Sequence, residues 1–168
     1  MLIRLACESD ARDIAKIHVA SWKATYRGIL SKEGLDSLSE DDKEAAWRPR
    51  LKLCDWTTLV GQRDSRIVGF VTCRPCPDKD KDSTIVAELM AIYLLPEYWG
   101  QGLGRALMNE ALERMLAQGF SEVALWVLEG NSRACRFYEC AGFTFDGNKS
   151  PDVIRDSNVI KMRYVKKL

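Results

Sequence analysis

The sequence predicts a mixed α/β fold: a central twisted mixed sheet of about six to seven strands flanked by helices. Three observations carry this reading. The middle of the chain runs strand, glycine turn, helix, strand, helix, a βαβα unit whose two strands lie parallel. Two strand-like stretches joined by a polar turn precede it, which is an antiparallel signature. The chain has 168 residues, 46% of them apolar, enough for one domain with its own core and too apolar for disorder. Residues 1–168 are therefore read as a single domain.

The elements follow in order. Leu2–Ala6 reads as a short opening strand. Ser9 or Asp10 caps a helix whose apolar face holds Ile14, Ile17, Ser21 and Trp22, and Gly28 ends it. Ser31–Leu38 and Glu40–Leu51 are helical, the latter acidic at its start and stopping near Pro49. Thr57–Gly61 and Arg66–Pro75 are strands joined through Arg63-Asp64-Ser65. Cys76–Ser83, with Pro77 and alternating Asp and Lys, reads as a solvated loop. Thr84–Leu95 is a long strand closed by Pro96. The helix Leu103–Gln118 buries Leu103, Ala106, Leu107, Ala111, Leu112 and Met115, with Gly119 just past its end. Ser121–Leu128 is continuously apolar, as a strand covered on both faces should be. Asn131–Ala141 is a helix ended by Gly142, and Phe143–Phe145 and Val159–Val165 are the last strands.

Charge and cysteine usage narrow the function classes. Lys+Arg number 25 and Asp+Glu 24, so a strongly basic nucleic-acid binder is excluded. Arg163, Lys166 and Lys167 form only a modest basic tail. No apolar run approaches the roughly 20 residues that cross a bilayer. Met1–Leu5 leads straight into a charged, capped stretch rather than a signal peptide, so a cytoplasmic protein is expected. The six cysteines then read as free thiols. Cys73-Arg-Pro-Cys76 has neither a second pair nor a nearby His to complete a zinc site, and it ends a strand rather than starting a helix. It reads as surface thiols, Cys135 and Cys140 as packing residues, and His18, sharing a face with Ile14 and Trp22, as a packing histidine. No metal site is expected.

The turn Trp99-Gly100-Gln101-Gly102-Leu103-Gly104-Arg105-Ala106 carries more chemistry. Glycines at a strand-to-helix junction let the backbone turn tightly and approach a ligand closely. Free N–H groups at the helix start then bind an anion, and Arg105 adds charge. The implied ligand is a phosphate or pyrophosphate, against the plainer reading of a simple tight turn. A dinucleotide fingerprint would need glycine where Arg105 stands, and a P-loop would need Gly-Lys-Ser/Thr.

With these residues the chain resembles the GCN5-related N-acetyltransferase (GNAT) family. The resemblance includes the strand Glu88-Leu-Met-Ala-Ile-Tyr-Leu-Leu-Pro96, the turn, and Asn131-x-x-Ala-x-x-Phe-Tyr138-x-x-x-Gly142-Phe143. The segment Trp22-x-x-x-Tyr26-Arg27-Gly28-Ile29-Leu30 is also similar to members of this family. One departure stands out: the family turn usually begins with Gln or Arg, and Trp99 occupies that position.

The resemblance implies transfer of an acetyl group from acetyl-CoA to a primary amine by direct attack in a ternary complex. It assigns the acetyl carbonyl and pantetheine arm to the backbone of Ile92, Tyr93 and Leu94. The pyrophosphate falls to Gly100, Gln101, Gly102, Leu103, Gly104 and Arg105, and a further contact with the arm to Asn131. Tyr138 matches the family's general acid and Glu88 the general base of one branch. Trp22, Tyr26 and Arg27 would line the acceptor pocket, and the acceptor is a small molecule or peptide amine. The family often dimerises. The competing reading is a non-catalytic acyl-CoA sensor or interaction module. A dinucleotide oxidoreductase is disfavoured by Arg105.

Overall fold

A computed structural model describes residues 2–168. Seven strands form one sheet in the order β1-β2-β3-β4-β5-β7-β6. These are β1 (Leu2–Leu5), β2 (Thr57–Arg63), β3 (Arg66–Pro75), β4 (Val86–Leu94), β5 (Glu122–Leu128), β6 (Thr144–Ile154) and β7 (Ser157–Lys167). The helices are α1 (Ala11–Thr25), α2 (Lys32–Asp36), α3 (Glu40–Arg50), α4 (Leu103–Ala117) and α5 (Ser132–Cys140). Every neighbouring pair is antiparallel except β4 and β5. The mixed α/β expectation is met.

The sheet is covered on both sides. Leu107, Met108, Ala111 and Met115 of α4 pack with Leu59, Val71, Leu89, Val123, Leu125 and Phe143. On the other face, Ile14 and Ile17 of α1 and Trp47 of α3 meet Val60, Phe70 and Ala91. This is the layering that a sheet with two apolar faces requires. No helix among the described residues is long and apolar enough to cross a membrane.

Besides Ala106, which is exposed on α4 rather than buried, four details depart from the sequence reading. The last strands are longer than Phe143–Phe145 and Val159–Val165: β6 and β7 form a hairpin of 11 residues per strand. Its turn, Arg155-Asp156, has φ of 48° and 60°. β6 is polar and contains Pro151, which an edge strand tolerates because one of its sides needs no ladder partner. Asp10 does not cap α1 with its side chain; its carboxylate accepts from the Cys7 amide at 2.8 Å and pairs with Arg4 at 2.7 Å. Cys73 and Cys76 are buried rather than surface thiols, and Cys140 is exposed rather than packed. Burial pushes the Cys73 thiol up to about 12, with Glu88 adding to the shift.

The fourth departure concerns charge. Arg163 is no tail residue: it is 3% exposed. Its guanidinium donates to Asp146 (2.7 Å), Asp78 (2.9 Å) and Asp80 (2.7 and 2.6 Å). The segment read as a solvated loop is therefore tied to β7 by charge-assisted hydrogen bonds.

Candidate active site

The site begins with an irregularity in β4. Thr72 faces Ala91 and Cys73 faces Leu89 in the β3–β4 ladder, so Met90 is an inserted residue. Such a bulge bends its strand. β4 and β5 pair only from Val86 to Glu88 against Glu122 to Ala124, and beyond Glu88 they part. Among the described residues, no strand pairs with the backbone of Leu89–Leu94 on its β5 side.

A cavity of about 570 Å³ occupies the parting, a volume typical of small-molecule sites. One wall is Leu89–Leu94; the other is Trp126, Val127, Asn131, Ala134, Phe137 and Tyr138. Ser21 and Thr25 of α1 and Tyr26, just past its end, close one end. Tyr98, Trp99, Gly100, Gly102, Gly104, Arg105 and Arg133 form the other.

The glycine turn is built for an anion. Gly100 and Gly102 have φ of 72° and 80°, a left-handed backbone that side-chain-bearing residues adopt only at a cost. Gly102 is the N-cap of α4 and offers no side-chain acceptor. The first helical bond is from the Ala106 amide to the Gly102 carbonyl, at 3.1 Å. The amides of Leu103, Gly104 and Arg105 thus remain free donors at the positive end of the helix dipole.

Trp99 has a defined use. Its Nε1–H donates to the Leu94 carbonyl at 3.0 Å, which fixes the ring. The Arg133 guanidinium stacks on that ring, 3.4 Å from its centroid. Arg133 forms no ion pair among the described residues. It therefore brings a cation to the cavity mouth, where Trp99 itself cannot.

At the inner end stand three tyrosines. Tyr138 packs against Phe137 and Phe143, with ring centroids 5.5 and 6.0 Å away, and its hydroxyl makes no hydrogen bond with a described residue. Burial raises its pKa, and Tyr26 and Cys135 add to the rise. Burial likewise raises Tyr93 and Tyr26. All three stay protonated well into alkaline solution. Asn131 caps α5: its Oδ1 accepts from the Ala134 amide at 3.1 Å. Its amide nitrogen has no protein partner among the described residues and is left to donate into the cavity it lines.

The structure thus brings Ile92, Tyr93, Leu94, Gly100, Gly102, Gly104, Arg105, Asn131, Tyr138 and Tyr26 around one cavity. It does not bring Glu88 there. That carboxylate is 8% exposed, accepts from Arg74 Nε at 2.6 Å and is not part of the wall. The Gln101 side chain turns away, donating to the Glu97 carbonyl at 2.8 Å and accepting from Arg63 at 2.6 Å. Arg27 is exposed and off the cavity. Trp22 stands one ring behind Tyr26, at 5.1 Å. Arg133 and Trp126 were missed by sequence reasoning. Arg133 lies two residues after Asn131, but only the stacking on Trp99 marks it out. Among the described residues, no cluster of three His, Cys, Asp or Glu side chains could hold a metal ion.

Comparison with known proteins converges on one family. The profile of the Acetyltransferase (GNAT) family matches residues 20–143. An uncharacterized N-acetyltransferase, YuaI of Bacillus subtilis, is 38% identical over 131 residues, covering 77% of this chain and 72% of that protein. The spermidine N(1)-acetyltransferase of Thermoplasma acidophilum is 30% identical over 159 residues, covering 92% and 94%. Among solved structures, the PaiA N-acetyltransferase of Thermoplasma acidophilum in complex with coenzyme A superposes with a TM-score of 0.80, at 26% identity, over 100% of both chains.

Proposed function

The chain belongs to the acetyltransferase (GNAT) family, and from that premise we propose that it transfers the acetyl group of acetyl-CoA to a primary amine by direct attack. The observation that carries this reading is the parting of β4 from β5, with free helix-start amides at one end and a buried phenol at the other. In this reading the amides of residues 103–105 hold the pyrophosphate, and Arg105 and Arg133 add charge. The unpaired backbone of Ile92, Tyr93 and Leu94 and the side-chain amide of Asn131 hold the pantetheine arm.

The amine enters past Tyr26 and attacks the thioester carbonyl carbon. A C–N bond forms, the carbonyl electrons move to oxygen, and backbone amides of the bulged strand receive the charge. The C–S bond then breaks, and the Tyr138 hydroxyl gives the departing sulfur its proton. The nitrogen's proton leaves to water, from which the Tyr138 phenolate is reprotonated. Positioning supplies the remainder of the rate.

Isothermal titration tests the reading. Acetyl-CoA is expected to bind with a Kd in the micromolar range, and thiol release across a panel of amines is expected to follow. No binding heat at about 500 µM acetyl-CoA, well above that range, refutes it. Binding without thiol release for any amine favours the sensor reading.

A further inference from the structure

Beyond Tyr26, two buried side-chain N–H groups lie close together. Trp47 Nε1–H donates to His18 Nδ1 at 3.1 Å. Burial holds His18 neutral, with its pKa pushed down to about 3, and Lys43, Arg50 and Arg155 push the same way. With Nδ1 accepting, the ring proton sits on Nε2. Among the described residues that N–H is buried without a partner, and Trp22 Nε1–H, which faces the Tyr93 hydroxyl, also has none at hydrogen-bond distance. His18 is 6% exposed. Buried donors are normally satisfied, so two on neighbouring rings, 5.3 Å apart, call for a reason.

Three cations gather at the same place. Lys43 Nζ lies over the Trp22 ring, 5.1 Å from its centroid. Arg50 lies over Trp47 at 5.5 Å. Arg155, in the β6–β7 turn, donates to Ser37 Oγ, just past the end of α2, at 3.2 Å. None of the three forms an ion pair among the described residues, although Arg48, on α3 with Lys43 and Arg50, does. Lys43 is held below its ordinary pKa by burial, then by Arg155 and Arg50. The region thus combines two unpartnered N–H donors with three unpaired cations. Tyr26 joins it to the cavity, with one edge against Trp22 and another on the cavity wall.

Resting on the acetyl-transfer reading above, we infer that the acceptor amine carries an anionic group, a carboxylate or a phosphate-type oxyanion. That group docks at Lys43 and Arg155 beside Trp22 while the amine reaches the thioester past Tyr26. A second ammonium there would face three cations, so polyamines are poor acceptors for this chain.

The test is thiol release with matched acceptors: amino acids against their carboxamides, 2-aminoethylphosphonate against ethanolamine, and spermidine. The anionic member of a pair is expected to exceed its neutral partner in kcat/KM by about tenfold. The two anionic arms separate carboxylate from phosphonate recognition. Lys43→Met is expected to raise KM for the anionic acceptor about tenfold with kcat nearly unchanged, and to leave the neutral partner unaffected. Preference for spermidine or the carboxamide, or an equal effect of Lys43→Met on both members, overturns the inference.

A second measurement needs no turnover. The coenzyme A-saturated protein is titrated with N-acetylalanine and N-acetylalaninamide. Tighter binding of the acid supports the anion site even if no amine is acetylated, in which case the transfer reading falls alone. Equal binding of the two refutes the anion site and leaves transfer standing.

Discussion

Tyr138→Phe isolates the proposed proton donor with little collateral damage. The ring packs on Phe137 and Phe143, and phenylalanine keeps that packing. The hydroxyl bonds no described residue, so its loss strands no partner. The folding cost should therefore stay within about 0.5 kcal/mol, the range of substitutions that touch no packed or bonded feature. A positioned general acid contributes about 10² to 10⁴ in rate. At 1.36 kcal/mol per decade this is roughly 2.7 to 5.4 kcal/mol of barrier. Thiol release at saturating acetyl-CoA should fall by that factor, while the acetyl-CoA Kd from titration stays within about twofold. Because burial raises the Tyr138 pKa, the wild-type rate should show no alkaline loss from this group up to pH 10, its ordinary value. A variant turning over within threefold of the wild type at about pH 8, where the phenol is protonated, would remove Tyr138 from the chemistry. A drop in kcat matched by an equal drop in affinity would make it a binding residue instead.

Two further substitutions test the supports of the site. Arg163→Met leaves the largely buried carboxylates of Asp78 and Asp146, 18% and 15% exposed, without their cation. A cost of about 3 to 5 kcal/mol is expected, read as a melting temperature lower by roughly 10 °C. Arg163 also holds the Asp80 carboxyl at about 2, below its ordinary 3.8. That contribution is present above the unfolded value and lost as pH falls toward the folded one, so the gap between wild type and variant should narrow from about pH 4 to 2. An unchanged melting temperature at pH 7 refutes the account. Arg133→Ala removes the cation stacked on Trp99, and the acetyl-CoA Kd should rise about tenfold with kcat at saturation preserved. A Kd within twofold would leave the stack without a ligand.

What the sequence revealed was whatever is written locally. The helix from Leu103, the strand before it and the glycines between are local patterns, and each lies within a few residues of its expected place. Asn131, the cap of α5, and Tyr138, seven residues on within it, both reach the cavity wall. Glu88 shows the limit. Counting alternation through β4 puts Glu88 on the face of Ile92 and Leu94. The inserted Met90 breaks the count, so Leu89 instead shares the core with Ile92 and Leu94, and Glu88 turns to the opposite side. One extra residue flips every side chain beyond it. Nothing in Glu88-Leu-Met-Ala announces the bulge, because it is fixed by pairing with β3. The polar strand β6, the burial of Arg163 and the stacking of Arg133 on Trp99 are likewise long-range outcomes.

The parted strands also explain why composition carried no sign of a cofactor site. β3 holds the outer edge of β4 from Ala87 to Leu94, and β7 holds β5 from Glu122 to Leu128. Both strands are therefore anchored, and only their facing edges are open. Backbone N–H and C=O groups left unpaired inside a protein are costly, and here an open cavity lets water meet them. Trp99 satisfies one of them, the Leu94 carbonyl. An extended ligand with amides of its own can satisfy the others as an added strand would, and the pantetheine arm proposed for this site is such a ligand. Recognition of that kind draws on main-chain groups, which every sequence possesses, and on the φ values of two glycines. It needs no excess of positive charge, and a chain with a net charge of +1 can supply it. Side chains are then left to decide the acceptor, and beyond Tyr26, outside the cavity lining, stand the unpaired Lys43, Arg50 and Arg155.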